Sequence, residues 1–127
     1  MYKTLKPDFT FTDERGTLVQ LVHSGYTQVN VITTEKGVVR GNHFHKRCRE
    51  AFYIVSGSVH VILTSEGGKQ EQLFQSGDFF EIPPMVLHEM IYPEFCVMVA
   101  LYDQPVESEN GEKDIYSVEM LPIERGE

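Results

Sequence analysis

Four residues have types and spacings suited to metal or proton-transfer chemistry: His43, His45, Glu50 and His88. His43 and His45 stand two apart in a run that reads as a strand, so both imidazoles project from one face. Two imidazoles on one face can share a metal at about 2.0–2.2 Å each. Glu50 comes five residues after His45. On an unbroken strand that odd offset aims it at the opposite face. The intervening Lys46-Arg47-Cys48-Arg49 is polar and charged, which predicts a turn that resets the parity and lets Glu50 open the next strand facing inward. His88 follows Pro83-Pro84 at the head of another apolar run, where a barrel could bring it opposite the other three. Three imidazoles and a carboxylate suit a divalent transition ion such as Zn, Fe, Mn or Ni. They leave one or two coordination positions open for water or substrate, as in a reactive rather than a structural site. The other two of the five histidines, His23 and His60, carry no such spacing and read first as surface or hydrogen-bonded residues.

The elements that must position these side chains are short. Candidate strands are Thr17–Val22, Gln28–Thr33, Val38–His45, Glu50–Val55, Ser58–Thr64, Gln70–Phe74, Asp78–Ile82, Leu87–Tyr92 and Phe95–Tyr102. Period-two alternation puts Val59, Val61 and Leu63 on one face of their strand and Ser58, His60 and Ile62 on the other. Turn signals fall between the runs at Gly16, Gly25, Gly37, Gly57, Gly67-Gly68, Gly77, Pro83-Pro84 and Pro93. No segment keeps a 3.6-residue period for the length of a helix. Many short, evenly spaced strands predict an all-β antiparallel sandwich or barrel, the class that includes jelly rolls. From about Asp103 the chain turns polar and acidic, and this tail is expected to wrap the outside or fray.

At 127 residues the chain fits one domain with one core. Nineteen Asp and Glu against 11 Lys and Arg give a formal net charge of −8. Such a surface repels phosphate backbones and anionic lipid, so neither nucleic acid nor a membrane is an expected partner. Cys48 and Cys96 are too few for a disulfide framework, and free thiols in a reducing compartment are expected. The first residues lack an apolar core of signal-peptide length, and no stretch nears the roughly 20 apolar residues of a membrane span. A soluble, cytoplasmic protein is the expectation.

The wider spacing resembles the cupin superfamily. Its first motif runs Gly, five residues, H-x-H, three or four residues, Glu, six residues, Gly; here Gly37, His43-Phe44-His45, Glu50 and Gly57 fit every interval. Its second motif is matched by Gly77, Pro83 and His88, with Met85 where the family often has Gly. The resemblance implies a single-domain cupin over 1–127, a double-stranded β-helix or jelly-roll barrel. Its barrel core would span about 10–105, with a polar C-terminal segment over about 103–127. It also implies His43, His45, Glu50 and His88 as the metal ligands.

A narrower resemblance rests on Arg40-Gly41-Asn42-His43-Phe44-His45-Lys46, on Ile82–Met90, on Asp13–Leu18 and on Cys96–Ala100. These look like the sugar-nucleotide 3,4-ketoisomerases of deoxysugar biosynthesis, which act on dTDP-4-keto-6-deoxyglucose. In that branch the two histidines shuttle protons without metal. Carried over, His43 and His45 are catalytic, with Arg40 near the substrate. The chain departs from the branch at Glu50, where those enzymes tend to carry Gln, and at Val29-Asn30-Val31-Ile32, where they place tyrosines. It is also similar to the zinc-dependent cupin domain of capsular-sugar epimerase/reductases, which has a Glu at the spacing of Glu50.

A histidine nitrogen that binds a metal cannot act as a base. With the histidines as ligands, the proton would move by His60, Tyr53, Glu89 or a metal-bound water, and Tyr53 and His60 are also candidate substrate contacts. Lys46, Arg47 and Arg49 with Arg40 form a basic cluster suited to a nucleotide diphosphate. The expected function is an isomerase or epimerase of a keto-sugar nucleotide, working by proton transfer next to a carbonyl. The alternatives are a metal-dependent cupin dioxygenase and a non-catalytic small-molecule-binding cupin. A homodimer is the expected assembly.

Overall fold

Alternating apolar and polar residues punctuated by glycine and proline fold into twelve strands among the described residues. The structure, a computed structural model, describes residues 1–117. The strands are β1 (Lys3–Thr4), β2 (Phe9–Asp13), β3 (Gly16–Gln20), β4 (Gln28–Thr34), β5 (Val39–Phe44), β6 (Glu50–Ser56), β7 (Ser58–Ser65), β8 (Gly68–Gln75), β9 (Phe79–Ile82), β10 (Leu87–Ile91), β11 (Cys96–Tyr102) and β12 (Tyr116–Ser117). They form two five-stranded antiparallel sheets, ordered β1-β9-β6-β11-β4 and β12-β5-β10-β7-β8, and a separate β2–β3 hairpin. This is the expected jelly-roll barrel of cupin type. No helix among the described residues is long and apolar enough to cross a membrane.

Nine of these strands lie where the sequence places them, with ends moved by two residues at most. β1, β2 and β12 were not expected. β1 pairs with β9 (Lys3↔Glu81) and β12 with β5 (Tyr116↔Phe44), so the two sheets reach past the 10–105 core on both sides. The tail does not fray up to Ser117; it folds back onto the sheet edge. Its residues 118–127 lie outside the described residues.

Period two then decides what faces inward. Register pairs Glu50 with Tyr102, Phe52 with Ala100 and Ile54 with Met98 on one wall, and His43 with His88, and Leu63 with His88, on the other. All these side chains except the half-buried His43 are buried. Away from the histidines the interior is filled by aromatics: Phe74 and Phe80 stack at 3.7 Å, Phe52 stacks on Phe80 at 5.4 Å, and Tyr2 meets both Phe74 and Phe80 edge-on. Each such side chain contributes about 1.5–3 kcal/mol on burial. The β6–β7 turn needs Gly57: its φ is +83° and a Cβ there would lie 2.1 Å from the Phe95 carbonyl oxygen.

Candidate metal centre

The site begins with an irregularity in β5. Register runs Arg40↔Met90, Gly41↔Glu89, His43↔His88, so Asn42 is an extra residue bulged out of the ladder. Gly41 and Asn42 both have positive φ, +90° and +63°. A Cβ on Gly41 would sit 2.7 Å from the His88 carbonyl oxygen, which restricts this position to glycine. Arg40 and His43 are three apart and would face opposite sides of a regular strand. The bulge turns both toward one cavity.

His45 lies just past β5 on the same face as His43, their ring centroids 5.3 Å apart; His43 and His88 are 4.6 Å apart. One nitrogen from each of His43, His45 and His88 falls within 4.8 Å of the others. Ligands on a tetrahedral ion with bonds of about 2.0–2.1 Å stand roughly 3.4 Å apart, so small side-chain rotations would bring these nitrogens onto a shared ion. The turn expected over Lys46–Arg49 is present, and Glu50 opens β6 facing inward. Glu50 Oε1 lies 3.2 Å from His45 Nε2 and 3.5 Å from His88 Nε2. The second-motif turn forms with Met85 itself at φ +68°, its N–H donating to the His45 carbonyl at 2.7 Å.

The three imidazoles form a donor cluster that fits a divalent ion, and Glu50, which approaches His45 and His88, lies beside this cluster. His45 Nδ1 lies 2.5 Å from the carbonyl oxygen of Asp114. A carbonyl only accepts, so Nδ1 carries the hydrogen and Nε2 is the nitrogen left facing Glu50. A neutral imidazole would thus aim a lone pair at a carboxylate, a clash that either a metal cation between them or a proton on Nε2 relieves. Donation from the far nitrogen to a carbonyl is the usual support of a metal-binding histidine. His88 Nδ1 is buried with no hydrogen-bond partner among the described residues.

The electrostatics follow from burial and the mutual contacts. Burial and the neighbouring His45 hold His43 below the ordinary histidine range. Burial, aided by His43 and His45, brings His88 down to about 4 against the pull of Glu50. For His45 burial acts downward, yet the Glu50 hydrogen bond and charge, with the Asp114 carbonyl, raise it overall. For Glu50 burial acts upward and is outweighed by the His45 hydrogen bond and by His88, which keep it ionised.

The cavity has a volume of about 210 Å³. Its polar side is Arg40, His43, Glu50, His88 and Tyr102. Its apolar side is Ile32, Phe52, Met90, Tyr92 and Met98. Arg40 is anchored by Nε to Thr34 Oγ1 at 2.8 Å and by Nη2 to the Thr33 carbonyl at 3.3 Å.

The structure thus brings His43, His45, Glu50, His88 and Arg40 together, and it does not bring Tyr53 or His60. Tyr53 is three past Glu50, so it points out of the barrel and packs edge-on against Phe79. His60 alternates with the inward Val59 and Val61 and faces Glu71 at 3.6 Å on the outer surface. Glu89 shares that outer face with Ile62. Lys46 lies over the Tyr116 ring and Arg49 pairs with Glu81, so neither lines the cavity. Two residues were missed. Tyr102 lines the cavity next to Glu50, and two-residue steps from Met98 through Ala100 could have found it. Asp114 is buried behind His45, and nothing in the acidic tail singles it out.

Comparison with known proteins agrees with this architecture. The family model described as the polysaccharide biosynthesis C-terminal domain matches residues 11–101. The fold is similar to the QdtA 3,4-ketoisomerase of Thermoanaerobacterium thermosaccharolyticum, at 25% identity and TM-score 0.69 over 87% of this chain and 83% of that one. It is similar to the WlaRB TDP-quinovose 3,4-ketoisomerase of Campylobacter jejuni, at 20% identity and TM-score 0.75 over 88% and 92% of the two chains. It is also similar to the dTDP-4-dehydrorhamnose 3,5-epimerase of Sulfolobus tokodaii, at 16% identity and TM-score 0.69 over 87% and 79%. No curated protein matches by sequence. With a jelly-roll barrel, a histidine-lined cavity and a family match over most of its length, the chain belongs to the polysaccharide biosynthesis C-terminal domain family.

Proposed function

We propose that the protein is a sugar-nucleotide isomerase or epimerase that moves a proton next to the carbonyl of a keto-sugar nucleotide of the dTDP-4-keto-6-deoxyhexose type. One observation carries this reading: the Gly41–Asn42 bulge presents Arg40 and His43 side by side to a single cavity, with Glu50 and His88 beside them. The Arg40 cation can hold a substrate oxygen, and His43 beside it either moves the neighbouring proton as a free base or serves as a ligand while a metal-bound water would move that proton. The names of the similar enzymes, two 3,4-ketoisomerases and a 3,5-epimerase, support the same chemistry. A cavity of about 210 Å³ suits one sugar ring, smaller than the roughly 300–1,000 Å³ of pockets for larger ligands. The nucleotide would then lie outside it.

His43, His45, Glu50 and His88 would hold a divalent transition ion such as Zn, Fe, Mn or Ni. Bound there, it would polarise the substrate ketone and lower the cost of the enediolate. Arg40 binds a substrate oxygen. Tyr102, whose phenol is pushed up by burial and by Glu50, stays protonated as a donor at the cavity. Met90, Met98 and Phe52 exclude water from the ring. A second reading, without metal, is favoured by the 3.2 Å His45–Glu50 contact, which also serves as an imidazolium–carboxylate pair and leaves His43 as the base.

We further propose a cytoplasmic homodimer; the edge strand β4 exposes Val29 and Val31, a surface that a second copy could cover. Light scattering tests it: a monomer mass rejects the dimer. For the reaction, the protein is incubated with dTDP-4-keto-6-deoxyglucose in deuterium oxide. Exchange next to the carbonyl, lost in His43→Asn, is expected. No exchange by the wild type, with the sugar nucleotide still bound, would move the reading to a binding module. Oxygen uptake by the iron-loaded protein would move it to a dioxygenase.

A further inference from the structure

Asp114 lies outside the segment shared with the family model and is 0% exposed. Its carboxylate accepts three successive main-chain N–H groups of the turn that joins His45 to Glu50: Lys46 to Oδ1 at 2.8 Å, and Arg47 and Cys48 to Oδ2 at 2.9 Å each. Its main-chain carbonyl accepts from His45 Nδ1 at 2.5 Å. One residue therefore grips the side chain of one candidate ligand and the backbone leading to the next. The grip is fixed from behind. Asp114 N–H donates to the Val106 carbonyl at 2.8 Å, Glu107 bridges to Lys113, and Tyr116 and Ser117 pair with Phe44 and His43.

We infer that Asp114 is a positioning residue of the site: it holds His45 with Nδ1 protonated and Nε2 directed at Glu50, and it sets the His45–Glu50 separation through the 46–48 turn. The other tautomer would set an Nδ1 lone pair against the carbonyl lone pairs at short range in a buried setting, an arrangement of high cost. The carboxylate acts on the imidazole indirectly. With three N–H donors on it, the Asp114 backbone cannot move, and so its carbonyl stays under His45. This rests on the reading of His45 as a site residue, and makes the folded tail part of the site.

The test reads His45 itself as well as metal affinity. In metal-free wild type, at a pH where His45 is neutral, long-range proton–nitrogen NMR should show the proton on Nδ1. Zinc affinity, measured by competition with a chromophoric chelator, should fall about 10–100-fold in Asp114→Ala, the range for lost support behind a ligand. Asp114→Asn, which keeps an acceptor oxygen, should fall less. In Asp114→Ala the His45 signals should move toward a mixture of tautomers while circular dichroism shows the fold retained. A wild-type proton on Nε2 overturns the inference, whatever the variants do. So does a folded Asp114→Ala with wild-type zinc affinity and tautomer. If Asp114→Ala does not fold, Asp114→Asn and the wild-type spectrum decide. If wild type binds no zinc, the tautomer readings decide alone. Failure of the proposed reaction would show separately, as absent deuterium exchange with the tautomer intact.

Discussion

Along β6 the inward side chains run Glu50, Phe52, Ile54; along β10 they run His88, Met90; along β11, read backwards, Tyr102, Ala100, Met98. The same strands thus build a charged end and a filled end of one barrel. The filled end is held by its own contents, stacked Phe74, Phe80 and Phe52, although the β6–β11 ladder shifts register there between Val97 and Met98. The site end cannot be, because its polar groups and the apolar wall of Phe52, Met90 and Met98 enclose a cavity of about 210 Å³ that leaves room for a ligand. It is held from outside the barrel by Asp114. It also contains Asn42 and Met85, the two non-glycine residues of positive φ among the described residues. Backbone strain persists where surrounding structure over-determines it and is concentrated at functional sites. Facing is set by strand parity, and chemistry by position along the strand.

The sharpest way to separate the two ends is Phe80→Ala. It should cost about 3–5 kcal/mol of stability in denaturant melts, while zinc affinity and exchange per folded molecule stay at wild-type values. Loss of site function in the folded variant would mean that the ends are coupled.

Acid should act on the other end. His88 is held at about 4 in the fold and returns to about 6.5 when unfolded. The unfolded state therefore binds the proton more tightly. The stability His88 contributes is present above about 6.5 and is lost as pH falls toward 4, with a slope of up to about 1.4 kcal/mol per unit. His43, also lowered, adds to this loss, and His45, raised, opposes it. Melts of metal-free protein across this range should show the decline. His88→Asn should flatten it, whereas Phe80→Ala should shift the whole curve down and keep its shape.

Gly41→Ala strikes the bulge. Strain at positive φ costs about 1–3 kcal/mol, and the methyl at 2.7 Å from the His88 carbonyl must push β5 and β10 apart. A drop of zinc affinity by more than about tenfold should accompany a modest fall in melting temperature. A variant with lower stability but unchanged affinity would show that the bulge does not place His43. The smallest effect is expected for Met85→Gly. Relief of about 1–2 kcal/mol of left-handed strain is offset by the lost contact with Phe44 and Leu87 and by glycine's added chain entropy. Stability should change by less than about 1 kcal/mol.

The barrel and the meeting of His43, His45, Glu50 and His88 at one end of it were legible because both depend on local rules. The Lys46–Arg49 turn had to reset parity for Glu50 to join the histidines, and it does. The Gly41-Asn42 bulge, which lets Arg40 join His43, was not read in the Val38–His45 strand, although a glycine inside a strand is a bulge signal. Tyr53 and His60 have suitable chemistry, but strand parity turns both away from the cavity. Asp114 was beyond reach: one acid among several in a polar tail, selected by three N–H groups of a turn more than sixty residues earlier. β12 was hidden for the same reason, since a two-residue strand gains its identity only from the β5 edge it meets.

The carboxylate of Glu50 separates a full ligand set from a bare pair of proton-carrying histidines. Elemental analysis of the purified protein, after dialysis, should find close to one divalent transition ion per chain in the wild type and almost none in Glu50→Gln, with both proteins folded. A wild type that carries no ion, takes up none on titration with zinc and still exchanges deuterium into the keto sugar would contradict the metal centre and leave His43 as the base.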